Sequence, residues 1–240
     1  MADQGKLSEA FWKERFPDWE TGLFKLRQSY KLEQLELDIN GEPIHMVKVT
    51  NIDDLLERAN DPDEIPFWAE LWPSSIGLAW YILQNKSEFD GKTLLELGSG
   101  VGLAGIAAKK ANSQVVQSDF TSEALRFTQL NCLGNGVGVG DQLLADWRFF
   151  PVEIAGFEWI IGADILYEKN FHTDLRKIFQ QSLKPGGSVL LADPGRNYAK
   201  EFIRQSATLG WRVAEFSFPV IYQERTHSID IYRLQPGGTG

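Results

Sequence analysis

Apolar positions along the chain change period several times, and the changes divide it into elements. Residues 7 to 20 carry apolar residues at helical spacing and predict one amphipathic helix. Leu35, Leu37 and Ile39 then alternate with polar neighbours, Asn40-Gly41 supplies a tight turn, and Ile44 to Val49 answers as a second strand of a hairpin. A short helix is expected from Asp53 to Ala59, a polar break at Asp61-Pro62-Asp63-Glu64, and a buried helix from Ser75 to Gln84. From Leu94 onward strand and helix take turns. Strands are expected at 94–97, 115–118, 143–145, 159–163 and 189–192, and helices at 103–111, 122–133, around Phe171, Leu175, Ile178 and Phe179, and at 199–208. A turn is expected at Lys184-Pro185-Gly186-Gly187.

Such alternation predicts an α/β fold with a doubly wound, mostly parallel sheet. Two closing strands, Trp211 to Phe218 and Ser228 to Leu234, follow one another without a helix, so one of them should run antiparallel. They bring the sheet to seven strands. Residues 1–63 form an N-terminal extension of helix and hairpin, 64–235 the main domain, and 236–240 a tail expected to be disordered.

The 240 residues are 43% hydrophobic, enough for one sizeable core. A formal charge of −9 disfavours nucleic acid, whose binding depends on cationic neutralisation of phosphates, and is easier to reconcile with a basic protein partner. No stretch is long and apolar enough to span a membrane and the N-terminus lacks an apolar signal core, so a cytoplasmic protein without a membrane partner is expected. A single cysteine, Cys132, excludes an internal disulfide and is simplest as a small buried residue. His45, His172 and His227 show no metal spacing, and no metal is expected.

The run Thr93-Leu94-Leu95-Glu96-Leu97-Gly98-Ser99-Gly100-Val101-Gly102 is a strand, an acid, a glycine-rich turn and a helix start. Gly98, Gly100 and Gly102 allow backbone N–H groups to approach an anion beside a partly positive helix end. Leu103 breaks the dinucleotide fingerprint, and Glu96 suits a ligand that also carries a cation. S-adenosylmethionine combines a carboxylate, an ammonium and a sulfonium.

In a doubly wound sheet the ligand lies beyond the carboxyl ends of the strands, so those ends are where chemistry is expected. Asp119 stands where a carboxylate can accept both ribose hydroxyls, or where it would cap the helix beginning near Thr121. Asp146 could take the adenine amino group, and Trp147 could cover the adenine face or pack in the core. Asp164 opens Asp164-Ile165-Leu166-Tyr167 at the end of the fourth strand; it either faces the reacting centre or caps the next element, with Tyr167 packed against it.

With these positions in place, the chain resembles the seven-β-strand, class I protein-lysine methyltransferases that carry an Asp-x-x-Tyr motif after strand four, over roughly residues 64 to 235. Phe67-Trp68-Ala69-Glu70-Leu71-Trp72-Pro73-Ser74 and Ala192-Asp193-Pro194-Gly195-Arg196 look most like the enzymes that methylate the β subunit of electron-transfer flavoprotein. The resemblance implies a Rossmann-like fold and S-adenosylmethionine as cofactor. It implies that Trp72, Gly98, Gly100, Asp119, Trp147 and Ala163 line the cofactor, with Glu96, Ser99, Gly102 and Asp146 around them, and that Asp164 and Tyr167 face the target amine. The partner implied is a protein with an accessible lysine; the sequence does not fix the oligomeric state, and a monomer is favoured. Trp68 could instead anchor the N-terminal segment. A nucleic-acid amino-methyltransferase would have two prolines and an aromatic after the acid where Ile165-Leu166-Tyr167 stands. A small-molecule N-methyltransferase of the nicotinamide or amine type shares the sheet and the turn, and a cofactor-binding module without turnover is the non-enzymatic alternative.

Overall fold

Asn40 and Gly41 take φ of 55° and 79°, the left-handed pair that a two-residue hairpin turn requires. They join β2 (Leu32–Ile39) to β3 (Glu42–Val49) with Ile39 opposite Glu42. The chain is described by a computed structural model over residues 5–57 and 65–237.

The hairpin is a sheet of its own. A second, eight-stranded sheet is built from β1 (Gly5–Leu7), β4 (Thr93–Leu97), β5 (Gln114–Asp119), β6 (Gln142–Leu144), β7 (Phe157–Ala163), β8 (Leu183–Asp193), β9 (Trp211–Tyr222) and β10 (Arg225–Pro236). Its order is β1-β6-β5-β4-β7-β8-β10-β9. β6, β5, β4, β7 and β8 are parallel, β10 runs antiparallel to both β8 and β9, and β1 pairs antiparallel with β6. The sequence predicts seven strands. The eighth, β1, is a three-residue edge strand too short to carry a period, and only its pairing with β6 defines it.

The helix expected over 7–20 is two helices, α1 (Glu9–Arg15) and α2 (Trp19–Arg27). Pro17 disfavours helical backbone at the residue before it, and Phe16 accordingly sits at φ −134°, ψ 73°. Ser8 and Asp18 cap the two starts by accepting from the backbone N–H groups of Phe11 and Thr21. Among the described residues the remaining α-helices are α3 (Asp53–Leu56), α4 (Pro73–Gln84), α5 (Lys86–Phe89), α6 (Leu103–Lys110), α7 (Ser122–Gly134), α8 (His172–Ser182) and α9 (Asn197–Thr208). α3 ends earlier than expected, and the polar break at 61–64 lies outside the described residues. The turn at Lys184–Gly187 loops out within β8: the register shifts between the pairs Phe157–Leu183 and Trp159–Ser188, with Gly186 at φ 79°. Of the expected disordered tail, Pro236 still pairs with Trp211 and the Gly237 N–H donates to the Gly210 carbonyl at 2.8 Å, while 238–240 lie outside the described residues.

Successive residues of the central strands point to opposite faces, and each face buries its own core. Leu94, Ile161, Leu190 and Ile231 pack with residues of α4, α6 and α7; Leu95, Ile160, Leu191 and Tyr232 pack with residues of α8 and α9. The hairpin docks on α7 through two amides that imitate a strand. Asn131 accepts from the Val47 N–H at 2.7 Å and donates to the Val47 and Val101 carbonyls at 3.0 and 2.8 Å; Asn135 accepts from the His45 N–H at 3.0 Å and donates to its carbonyl at 2.6 Å. The parallel strands all deliver their carboxyl ends to one edge of the sheet.

Candidate active site

At that edge a cavity of about 270 Å³ opens between the ends of β4, β5, β6, β7 and β8 and the strap that runs from Ile65 to Trp72. Gly98 and Gly100 form its floor at φ 67° and 51°. The glycine at 98 is required twice over, because an added Cβ would stand 3.0 Å from Ile165 and 3.3 Å from the Trp147 ring. Ile165 and the Trp147 ring thereby pack directly on the Gly98 backbone at the cavity floor.

Asp119 closes β5 and lines the cavity. Its Oδ2 accepts from the Gly100 N–H at 2.9 Å and its Oδ1 from the Thr121 N–H at 3.1 Å, so one carboxylate holds the glycine turn and the start of the next loop. Burial pushes its pKa up, against the lowering effect of those backbone donors. It does not cap α7: Thr121 does, accepting from the Ala124 N–H at 3.3 Å. Asp146 and Trp147 follow β6. Arg148 grips the Asp146 carboxylate, with Nε at 3.0 and 2.9 Å from its two oxygens and Nη2 at 2.7 Å. The Trp147 ring lies edge-on to Phe171 at 5.3 Å and beside Gly98, lining the cavity rather than entering the central core.

Ala163 and Asp164 end β7. Asp164 is in the left-handed region, φ 62°, held there by its N–H donating to the Ala192 carbonyl at 2.8 Å, and the kink directs it into the cavity. Tyr167 stacks obliquely on Phe67 at 5.6 Å and lies edge-on to Phe171 at 6.2 Å. Trp72 donates from its indole Nε1 to the Phe67 carbonyl at 2.9 Å, which fixes the strap over the opening. Trp68 fills both roles considered for it: it lines the cavity and packs on Tyr30 and Phe127, tying the N-terminal segment to α7.

Nine of the twelve residues singled out from the sequence thus line the cavity, and the other three, Ser99, Gly102 and Glu96, lie behind it. Ser99, buried, donates its N–H to the Ser118 carbonyl at 2.9 Å and receives the Thr128 hydroxyl at 3.3 Å. Gly102 opens α6 at φ 91°, where any Cβ would press on Thr128. Glu96 is not brought to the cavity at all. It points under the glycine turn, where its Oε1 accepts from the Gly105 N–H at 3.0 Å and its Oε2 from Gln117 at 2.7 Å, in a cluster that includes Lys109 and Cys132. Burial raises its pKa to about 7. Phe67, Phe120, Arg148 and Phe171 also line the cavity and carry no sequence signal of their own. Arg196, quoted above only within a resembling run, does have one: the acid three residues before it.

The mixed eight-stranded sheet, with a glycine turn after its first parallel strand, has the fold of the Rossmann-like class I methyltransferases. Among solved structures, ribosomal protein L11 methylase of Lactobacillus delbrueckii superposes with a TM-score of 0.55 over 68% of this chain and 79% of its own, at 16% identity. Magnesium protoporphyrin IX methyltransferase of Synechocystis superposes at 0.53 over 95% and 96%, at 12% identity. At sequence level, residues 56–207 match the lysine methyltransferase family, and the chain belongs to that family. The mouse electron transfer flavoprotein beta subunit lysine methyltransferase is 29% identical over 171 residues, covering 70% of this chain and 65% of its own length. Calmodulin-lysine N-methyltransferase of Arabidopsis thaliana is 31% identical over 150 residues, 58% of this chain and 49% of its own. The chain therefore aligns with less than two thirds of either relative.

Proposed function

We propose that this protein transfers a methyl group from S-adenosylmethionine to the side-chain amine of a lysine on a protein, with the β subunit of electron-transfer flavoprotein as the first acceptor to try. The observation that carries the proposal is the meeting of Asp164 and Tyr167 with Gly98, Gly100, Asp119 and Trp147 around one cavity. The donor set fits such a cofactor: a glycine turn on the cavity floor, a carboxylate on β5 for ribose hydroxyls, and an indole wall beside a second carboxylate for adenine. Asp119 and Trp147 would hold ribose and adenine, Asp146 would take the adenine amino group once Arg148 shares it, and Trp72 and Ala163 would close the methionine end.

When bound, the cofactor supplies a methyl group already activated by a sulfonium, so the protein's task is to position the amine. A lysine amine must be neutral to attack, and with an ordinary pKa near ~10.4 its deprotonation at neutral pH costs on the order of 4 kcal/mol. Asp164 orients the amine by accepting one of its N–H groups, while Phe67, Tyr167 and Phe171 form an aromatic collar that excludes water and favours an alkylammonium product by ~0.5 to 2 kcal/mol. The proton leaves to solvent.

The test is transfer of labelled methyl from S-adenosylmethionine into purified electron-transfer flavoprotein β subunit and, in parallel, into a cell extract split into protein and small-molecule fractions. Label in a protein, lost in Asp164→Ala, is the expected result. Label only among small molecules would replace the lysine with a metabolite amine, and cofactor binding without label anywhere would replace the enzyme with a binding module.

A further inference from the structure

Asp164 does not stand alone in the cavity. Its Oδ1 is held by Nη1 of Arg196, and the same nitrogen lies 3.0 Å from Oδ2 of Asp193. Asp193 ends β8, is wholly buried, and accepts from the Arg196 backbone N–H through Oδ1 at 2.7 Å. The guanidinium is fixed from two sides and lines the cavity beside Asp164 and Tyr167. Gly195, at φ 85°, allows so tight a return; a Cβ there would lie 3.2 Å from Oδ2 of Asp230.

The surrounding elements add further charges. Asp230 on β10 pairs in register with Asp193 and accepts from Ser217 and Tyr232. Lys200 on α9 reaches the Gly195 turn, and Glu168 follows Tyr167 on the cavity wall. Asp164 and Glu168 are thus the carboxylates on this part of the cavity wall, while Asp193 lies buried behind Arg196, whose guanidinium stands between it and Asp164.

We infer that Arg196 is a positioning and specificity residue of the acceptor site, which compensates Asp164 and sets a fixed cation beside the incoming amine, so that the site admits the neutral amine in preference to the ammonium. The inference rests on the acceptor function proposed above. Uncompensated carboxylates hold a neighbouring amine in its charged, unreactive form, whereas an adjacent cation disfavours that form. Guanidinium is suited to the task because it stays charged at every pH at which a lysine deprotonates and its planar fork can span two carboxylates. Here the burial that would lower the Arg196 pKa is outweighed by Asp164 and Asp193, which raise it.

The test is binding of n-butylamine, a mimic of the lysine side chain, to protein saturated with S-adenosylhomocysteine, followed by tryptophan fluorescence between about pH 7 and pH 10. Wild-type affinity should rise with pH, following the neutral amine. Arg196→Gln should bind the ammonium as well, about tenfold tighter than wild type at the neutral end, which corresponds to one unit of amine pKa, and its pH dependence should flatten. Arg196→Lys, which keeps the charge, should retain the wild-type slope. Wild-type affinity that falls with pH, or a folded Arg196→Gln protein with an unchanged slope, would overturn the inference and leave the acceptor site standing. No binding to wild type at any pH would overturn the acceptor site, and the inference with it.

Discussion

Gln117 donates from Nε2 to Oε2 of Glu96 at 2.7 Å in the closed space beneath the glycine turn, while Lys109 holds the other end of the Gln117 amide at 2.8 Å. Two donors do not repay full desolvation, so burial raises the Glu96 pKa from 4.5 to about 7. The folded state then binds more protons than the unfolded state between those values. Stability must fall as pH rises through that window, by about 3 kcal/mol from this group alone. Asp119, also raised by burial, acts in the same direction. Urea unfolding at several pH values between about 5 and 8 should show the decline in the wild type and a flatter profile in Glu96→Gln. An equal slope in the variant would place the titration on another group.

Gly105 is the point at which α6 rests on that cluster. A Cβ there would overlap both Glu96 Oε2 and Gln117 Nε2, and its backbone φ is not positive, so the effect of a methyl is steric alone. Gly105→Ala should destabilise the fold by about 1 to 3 kcal/mol, despite the better helix propensity of alanine. Thermal unfolding checks this, and a rise in Tm would show that the cluster yields easily.

These two groups also show where the sequence is legible and where it is not. Asn40-Gly41 predicts the hairpin and its turn because left-handed backbone at two adjacent residues is a local demand. The strand–glycine turn–helix unit at 93–110 is legible for the same reason, as is the carboxyl-edge placement of Asp119, Trp147 and Asp164, which follows from strand order. Its place before Gly98 suits Glu96 to a cationic ligand, but a strand residue faces one side or the other, and tertiary packing turns it toward Gln117. β1, the Asn131 and Asn135 clasp on the hairpin, and the bridge from Arg196 to Asp164 join residues tens of positions apart and leave no periodic trace.

That clasp can be tested through Asn131. Its amide satisfies both backbone groups of Val47 and the carbonyl of Val101, all buried. Asn131→Leu keeps the volume and leaves three polar groups without their partner, each with a desolvation cost of about 1 to 3 kcal/mol. A loss of more than about 2 kcal/mol in urea unfolding is expected, with amide exchange accelerated at Val47. Unchanged protection there would mean that β2 alone holds β3 in place.

The Trp147 indole lines the cavity at nearly a right angle to the Phe171 ring, and the adenine reading needs one indole face there. If that face covers adenine, Trp147→Ala should weaken S-adenosylhomocysteine binding by roughly 1 to 3 kcal/mol, by analogy with base stacking on aromatic side chains. Calorimetric titration measures it. Affinity equal to wild type would leave the indole as a wall for the acceptor side only.

Asp164 separates binding from transfer. It ends β7, whereas the Asp119 and Asp146 carboxylates proposed to hold ribose and adenine end β5 and follow β6 on the other side of β4, and its left-handed backbone is one that asparagine also tolerates. Asp164→Asn should therefore fold and bind S-adenosylhomocysteine within about threefold of wild type, a difference below 1 kcal/mol. Methyl transfer should fall by about a hundredfold or more, because misplacement of the attacking amine by an ångström is enough to cost that much. Single-turnover transfer with saturating cofactor, set beside the titration, distinguishes the two effects. Equal losses in both would place Asp164 with the cofactor rather than with the amine, and the Arg196 bridge would then serve to shape the cofactor end of the site.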